Sequence, residues 1–128
     1  MSRKSKGINA ERDLIHKFWK ENWAAIRVAG SGSSKYPSPD LLAGNNIRKL
    51  AIECKASREK SRYLTKDEVN ELKEFSRIFG AEPWIAVKFD KEEWYFLVIE
   101  DLKETENNFL VSYEIVKNKG LLFEEIIK

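Results

Sequence analysis

The segment from Asp40 to Lys55, DLLAGNNIRKLAIECK, does most to limit what this chain can fold into. An apolar run over residues 40–43 meets Gly44-Asn45-Asn46 and returns as a longer run over residues 47–55. Gly and Asn accept the left-handed backbone of a tight turn, so the segment reads as a β-hairpin. Side chains alternate along a strand, which places Leu50, Ile52 and Cys54 on one face and Ala51, Glu53 and Lys55 on the other. A strand that otherwise reads as buried thus projects a carboxylate and an ammonium side by side. Antiparallel pairing across the turn sets Asp40 opposite the low 50s, within reach of Glu53. Taken singly these are ordinary features. Glu53 and Lys55 read equally as a charge pair on a solvent-facing strand, and Asp40, after Pro39, as a turn or strand-end residue.

The rest of the chain supplies the partners for such a hairpin. Asn9 is a suitable N-cap for a helix over about residues 10–22, with Leu14, Ile15, Phe18 and Trp19 on its apolar face and a basic tail at 1–8 before it. Residues 25–29 (AIRVA) read as a strand in which Arg27 shares a face with Ala25 and Ala29. Gly30 to Pro39 is a loop, and residues 56–64 (ASREKSRYL) a basic loop. Thr65 and Glu68 form a capping box that opens a helix reaching Phe79, with Val69, Leu72, Ser76 and Phe79 as its buried stripe and Gly80 as its C-cap. Residues 84–89 and 94–99 pair across the acidic turn 90–93. One more strand is expected over 109–116 and a terminal helix over 121–127, with the pattern weakest from 106 to 128. The order is α-β-β-β-α-β-β, an α/β fold with a mixed sheet flanked by helices, and 128 residues suit a single domain.

Composition removes several classes of function. No run approaches the ~20 apolar residues of a membrane span. The basic N-terminal stretch lacks an apolar core, which argues against secretion. The one cysteine, Cys54, can form neither an intrachain disulfide nor a zinc cluster, and a reducing cytoplasm fits. The net charge of +2 conceals a split: residues 1–62 carry 14 Lys and Arg against 6 Asp and Glu, a net of +8, and residues 63–128 carry 9 against 15, a net of −6. A phosphate-rich ligand would lie against the basic half; a solvated charged surface is the plainer alternative.

Glu11 stands out in the first helix. At ~100° per residue, Ile15 and Phe18 fall within about 40° of it, so it points along the apolar face toward the sheet. A carboxylate there is costly unless paired, protonated or bound to metal; the plainer reading is a first-turn acid that bends out to solvent. His16, about 140° away, is a solvent-side histidine. Residues 30–34 (GSGSS) lack the G-K-[ST] of a phosphate loop and read as a flexible substrate loop, with Lys35 and Tyr36 beside it. Trp19, Trp23, Trp84 and Trp94 read as core or interface residues.

Combined, these features are specific. Pro39-Asp40, twelve residues, then Glu53-Cys54-Lys55 give P-D-x(12)-E-x-K on a hairpin, with a helical Glu11 aimed at the same sheet. Hard carboxylate oxygens without a His or Cys cluster suit Mg²⁺ or Mn²⁺. This arrangement resembles the PD-(D/E)xK nuclease superfamily and its restriction-endonuclease-like fold. Gly7-x-x-Ala10-Glu11-Arg12-Asp13-Leu14, Ala25-Ile26-Arg27-Val28-Ala29-Gly30-Ser31-Gly32, Pro39-Asp40-Leu41-Leu42-Ala43-Gly44-Asn45 and Ile52-Glu53-Cys54-Lys55 sharpen the resemblance to the archaeal-type Holliday junction resolvase family, Hjc. Tyr63-Leu64, the stretch from Glu74 to Ala81 and residues 84–89 continue it, so that it covers roughly residues 5–105.

The resemblance implies a metal-dependent, structure-selective endonuclease that cuts opposing strands of four-way DNA junctions. It implies Glu11, Asp40 and Glu53 as metal ligands, joined by the backbone carbonyl of Cys54, where an aliphatic residue is usual. Lys55 becomes the motif lysine. Arg12 and Arg27 become contacts to the scissile phosphate, and Ser31, or else Ser33, the serine of a mobile loop. Lys35, Arg58, Lys60 and Arg62 fit phosphate tracking. A homodimer is implied as well, with Phe75 and Phe79 among the candidates for its apolar surface. Two other readings of the residues remain: a different endonuclease of the superfamily, for restriction or repair, and a non-catalytic DNA-binding module.

Overall fold

The computed structural model describes residues 3–29 and 35–128. Helix α1 (Arg3–Lys20) leads into β1 (Ala24–Arg27), and β2 (Leu41–Gly44) and β3 (Lys49–Ser57) form the hairpin. Strand β4 (Ser61–Thr65), helix α2 (Lys66–Phe79), and the strands β5 (Glu82–Phe89) and β6 (Trp94–Leu97) follow. A 3-10 turn at Ile99–Asp101, β7 (Lys103–Glu104), β8 (Asn108–Ser112), α3 (Tyr113–Lys119), β9 (Leu121–Leu122) and α4 (Phe123–Ile126) complete the order.

The main sheet runs β1-β2-β3-β5-β6-β9, and β4-β8-β7 form a second, three-stranded sheet. In the main sheet only β3 and β5 pair in parallel, with Glu53 opposite Ile85; the other pairs are antiparallel. It is the mixed sheet flanked by helices that the sequence predicts. Strand alternation supplies both faces. Leu50 and Ile52 pack with Leu14 and Phe18 of α1 and with Phe123 and Ile126 of α4. Ala51 packs on the opposite side with Val69 and Leu72 of α2 and with Leu64 and Val111 of the small sheet. Each fully buried Leu, Ile or Phe here contributes about 1.5–3 kcal/mol. Arg48 fastens the turn end of the hairpin: its guanidinium donates to both carboxylate oxygens of Glu82 at 2.8 and 2.9 Å and to the Ile126 carbonyl at 2.7 Å.

Several local expectations are corrected. Helix α1 begins at Arg3, so residues 3–8 of the stretch read as a basic tail are helical, residues 1–2 lie outside the described residues, and Asn9 lies inside the helix, not at its cap. Gly7 costs such a helix about 1 kcal/mol but does not end it. Asn22, at a φ of 64°, turns the chain after Lys20. The hairpin is offset by a residue or two: the Asn45 side chain accepts from the amides of Ile47 and Arg48, so β3 starts at Lys49. The basic loop shrinks to residues 58–60, because 61–65 pair with β8. The strand expected over 109–116 stops at Ser112, whose hydroxyl caps α3. The terminal helix over 121–127 is a two-residue strand and one short turn of helix. The capping box and the left-handed Gly80 at the ends of α2 are as expected, but Phe79 is 48% exposed and not part of the buried stripe.

Candidate active site

Strand β2 starts at Leu41, so beyond it the edge of β3 is left open. There Asp40 makes one last ladder contact, its amide donating to the Ile52 carbonyl at 3.0 Å while its own carbonyl accepts from Val28 at 2.8 Å. Its side chain then replaces the missing strand: Oδ2 accepts from the Cys54 amide at 2.8 Å. A carboxylate is thereby fixed at the rim of the sheet, next to the two residues that flank Cys54.

Glu53 points to the α2 side of β3, and its carboxyl is hydrogen-bonded to Asp40 and to Glu68. Burial, and then the Asp40 charge, push it up from 4.5 to about 9. Glu11 approaches Asp40 from α1, on the Cys54 side of β3. Burial and the Asp40 charge raise it to about 7, against the pull of Arg27 and Lys55. The sequence placed Glu11 toward the sheet, and the helix does so. Lys55 donates to Glu68 Oε2 at 2.5 Å. Burial raises the Glu68 carboxyl, but the Lys55 ammonium and the Thr65 amide outweigh it and hold it below its ordinary range. Cys54 faces α1, with its sulfur and carboxylate oxygens of Glu11 and Asp40 all within 4.8 Å of one another. Burial and the neighbouring carboxylates push its thiol up.

These side chains line a groove of about 1310 Å³ together with Ser57, Arg58, Arg62, Tyr63 and Lys88. That exceeds the ~300–1,000 Å³ usual for a small-molecule site and suits a polymer. Of the other candidates, Arg27 is exposed at the end of β1 and near enough to Glu11 to affect its charge. Arg12 and Lys35 are exposed but do not line the groove. Lys60 leans over the Tyr113 ring, 5.1 Å from its centroid, instead of entering the groove. Ser31 and Ser33 lie outside the described residues. His16 is exposed, as expected.

Glu68 and Ser38 are among the groove residues that the sequence reading did not assign to the site. Glu68 was legible only as a capping residue; its Oε1 does accept from the Thr65 amide, but its second oxygen holds Lys55. Ser38 lines the groove with its hydroxyl buried and, among the described residues, without a hydrogen-bond partner. No local pattern signals either one.

The donor set fits a divalent cation. Asp40 meets Glu11 on one side and Glu53 on the other, and burial first, then the Asp40 charge, makes both glutamates resist ionisation. A bound cation removes that cost, and it releases protons as it binds. A pH dependence follows for the metal-free protein. Glu53 ionises near 4.5 when unfolded and near 9 when folded, and Glu11 near 4.5 and near 7. The stability these groups allow is complete below the unfolded value and is lost as pH rises through the folded ones. In chelator, Glu53→Gln is expected to raise stability above about pH 8 by about 0.5–2 kcal/mol and to flatten its decline. Thermal melts across pH measure this; an unchanged slope would remove Glu53 as its source.

A mixed sheet with this cluster of carboxylates and a lysine at its open edge belongs to the restriction-endonuclease-like class of nuclease folds. The comparisons with known proteins narrow the class. The family model described as "Archaeal holliday junction resolvase (hjc)" matches residues 2–128. The crossover junction endodeoxyribonuclease Hjc of Archaeoglobus fulgidus is 45% identical over 129 residues, covering 95% of each chain. That of Methanocaldococcus jannaschii is 35% identical over 122 residues, covering 95% of this chain and 86% of its own. The solved structure of A. fulgidus Hjc, described as a Holliday junction resolvase from an archaeal hyperthermophile, matches with a TM-score of 0.89 at 43% identity, covering 95% of this chain and all of that one. The chain belongs to the archaeal Holliday junction resolvase family, whose members are endonucleases.

Proposed function

We propose that this chain is a Mg²⁺-dependent Holliday junction resolvase that hydrolyses phosphodiester bonds on opposing strands of four-way DNA junctions and acts as a homodimer. The observation that carries the reading is the convergence of Glu11, Asp40, Glu53 and Lys55, drawn from α1, the start of β2 and β3, in one groove too large for a small substrate. Glu11, Asp40 and Glu53 would hold the ion, with the Cys54 carbonyl, which leaves β3 on the same edge as its Asp40-bonded amide. Their hard oxygens suit Mg²⁺, with Mn²⁺ able to substitute. Such an ion supplies a nucleophilic water and offsets phosphate charge. Lys55, held by Glu68, would set its ammonium toward the attacking water and the scissile phosphate. Arg27, whose charge acts on Glu11, would clamp a phosphate oxygen, with Arg12 beside Glu11 in the sequence and Ser31, or else Ser33, as the further contact. No described helix is long and apolar enough to cross a membrane, and a DNA-cutting enzyme with one free thiol suits the cytoplasm.

A cleavage panel tests the reading. Four-way junctions are expected to be cut in Mg²⁺ and not in chelator, in preference to flaps and plain duplex. Equal cutting of duplex would instead indicate a general nuclease of the superfamily, and binding without cleavage a non-catalytic module. The groove rim gives a second measurement. Arg58→Ala and Arg62→Ala are each expected to reduce the slope of log affinity against log salt by about 0.9, the share of one phosphate contact. Lys60→Ala is expected to change it less, because that side chain lies over Tyr113. Equal slopes for all three variants would contradict this assignment.

A further inference from the structure

Helix capping accounts for one oxygen of Glu68 and leaves the other to be explained. Oε1 accepts from the Thr65 amide at 2.9 Å, and the Thr65 hydroxyl accepts from the Glu68 amide at 3.0 Å. This reciprocal pair fixes the carboxylate in the first turn of α2, where the helix dipole favours a negative charge. The second oxygen takes the Lys55 ammonium at 2.5 Å. Burial opposes the charge on Glu68, but Lys55 and the Thr65 amide outweigh it. Only 15% of the Lys55 side chain and 30% of that of Glu68 are exposed, so solvent screens this pair less than one on the open surface.

Lys55 has a second carboxylate in reach. Glu53 lies two residues earlier on the same face of β3, about 7 Å away along the strand, a span that two long side chains can close. Yet Glu53 feels only the charge of Lys55 and takes no hydrogen bond from it; its carboxyl is bonded to Asp40 and to Glu68. An ammonium seated on Glu53 would occupy a carboxylate that the cation needs and would repel the cation as well. We propose that Glu68 is a positioning residue for the cation site: by holding the Lys55 ammonium it keeps Lys55 off Glu53 and so leaves Glu53 open to the divalent ion. Without Glu68, Lys55 turns to Glu53 and competes with the metal. This inference deepens the metal-site reading above and rests on it.

The test is a double-substitution cycle on the whole protein, stripped of metal, with Mn²⁺ affinity read by electron paramagnetic resonance at one pH. Glu68→Gln is the chosen change, because Gln still closes the capping box but cannot neutralise an ammonium. Melting curves verify the fold of each variant. Glu68→Gln is expected to weaken Mn²⁺ binding by about tenfold or more, and Lys55→Met alone to change it by less than about threefold. The double substitution is expected to return the affinity to within about threefold of the unsubstituted protein. A weakened cap, or a charge simply removed nearby, would make the two substitutions additive. The same effect of Lys55→Met in both backgrounds therefore overturns the proposal, as does Mn²⁺ affinity left unaltered by Glu68→Gln. Junction cleavage by Glu68→Gln is expected to be slow at limiting Mg²⁺ and to approach that of the unsubstituted protein as Mg²⁺ is raised. A deficit that stays constant across Mg²⁺ concentrations overturns the proposal too. Unsubstituted protein that binds Mn²⁺ but gives an additive cycle sinks the Glu68 role alone, whereas no Mn²⁺ binding at all sinks the metal-site reading with it.

Discussion

Asp40→Asn is expected to abolish junction cleavage, by on the order of 10³-fold or more, while junction binding stays intact or tightens. The substitution is chosen for what it keeps. Asn can still accept from the Cys54 amide, the 2.8 Å bond that closes the open edge of β3, and the backbone bonds to Ile52 and Val28 do not involve the side chain. What disappears is one negative charge, from the carboxylate that faces Glu11, Glu53 and Cys54 together. A cation held as proposed above would lose one of its carboxylate ligands. Removing that charge also eases the approach of a phosphate backbone, so affinity should not suffer. Single-turnover cleavage and a gel-shift titration in Ca²⁺ separate the two effects. Cleavage within tenfold of the unsubstituted protein would take Asp40 out of the reaction. The same charge removal should lower the Glu53 carboxyl toward its ordinary range, because Asp40 is the main charge holding it up.

The parts of this site that could be read from sequence are those set by local geometry. Alternation fixed which side Glu53, Cys54 and Lys55 face, and helical periodicity aimed Glu11 at the sheet. The capping box and Gly80 marked the ends of α2 because each end is a hydrogen-bond problem solved within a few residues. What failed was set by partners far away in the chain. Ser61–Thr65 is polar and short, and it becomes a strand only because β8, nearly fifty residues later, offers it a ladder. The Lys55–Glu68 ion pair depends on the crossover returning the first turn of α2 over β3. The Cys54 sulfur was passed over for a related reason. The resemblance supplied a role for its backbone, and only the packing of α1 against β3 shows that the side chain meets two carboxylates. At residues 3–8 the error was of another kind: Asn9 is a good cap, yet nothing there forbids a helix from running through it.

The exposed end of α2 carries the second large effect. For the homodimer proposed above, Ile78→Asp or Phe79→Asp is expected to give monomers and to uncouple the two nicks at a junction. Ile78 is 70% exposed, Phe79 48% and Tyr36 73%, and with Phe75 and Pro37 they line one apolar hollow. The Phe75 and Phe79 rings lie against each other, with centroids 5.3 Å apart and planes tilted by 30°. An exposed apolar face of this kind marks an interaction site. Its proposed occupant is the same face of a second copy, because a four-way junction with approximate two-fold symmetry calls for two active sites related by a two-fold axis. The Arg77–Glu74 pair is satisfied within α2 at 2.6 Å, and the Lys49 ammonium lies over the Phe79 ring at 5.8 Å. An aspartate at the centre would be an unpaired buried charge in each copy, costing about 3–5 kcal/mol and weakening association by at least 100-fold. Light scattering across a dilution series measures the oligomer, and a supercoiled cruciform plasmid reports the nicks. Paired cutting yields linear product directly, whereas a monomer leaves nicked circles. Dimeric variants, or linear product formed by monomers, would move the interface elsewhere.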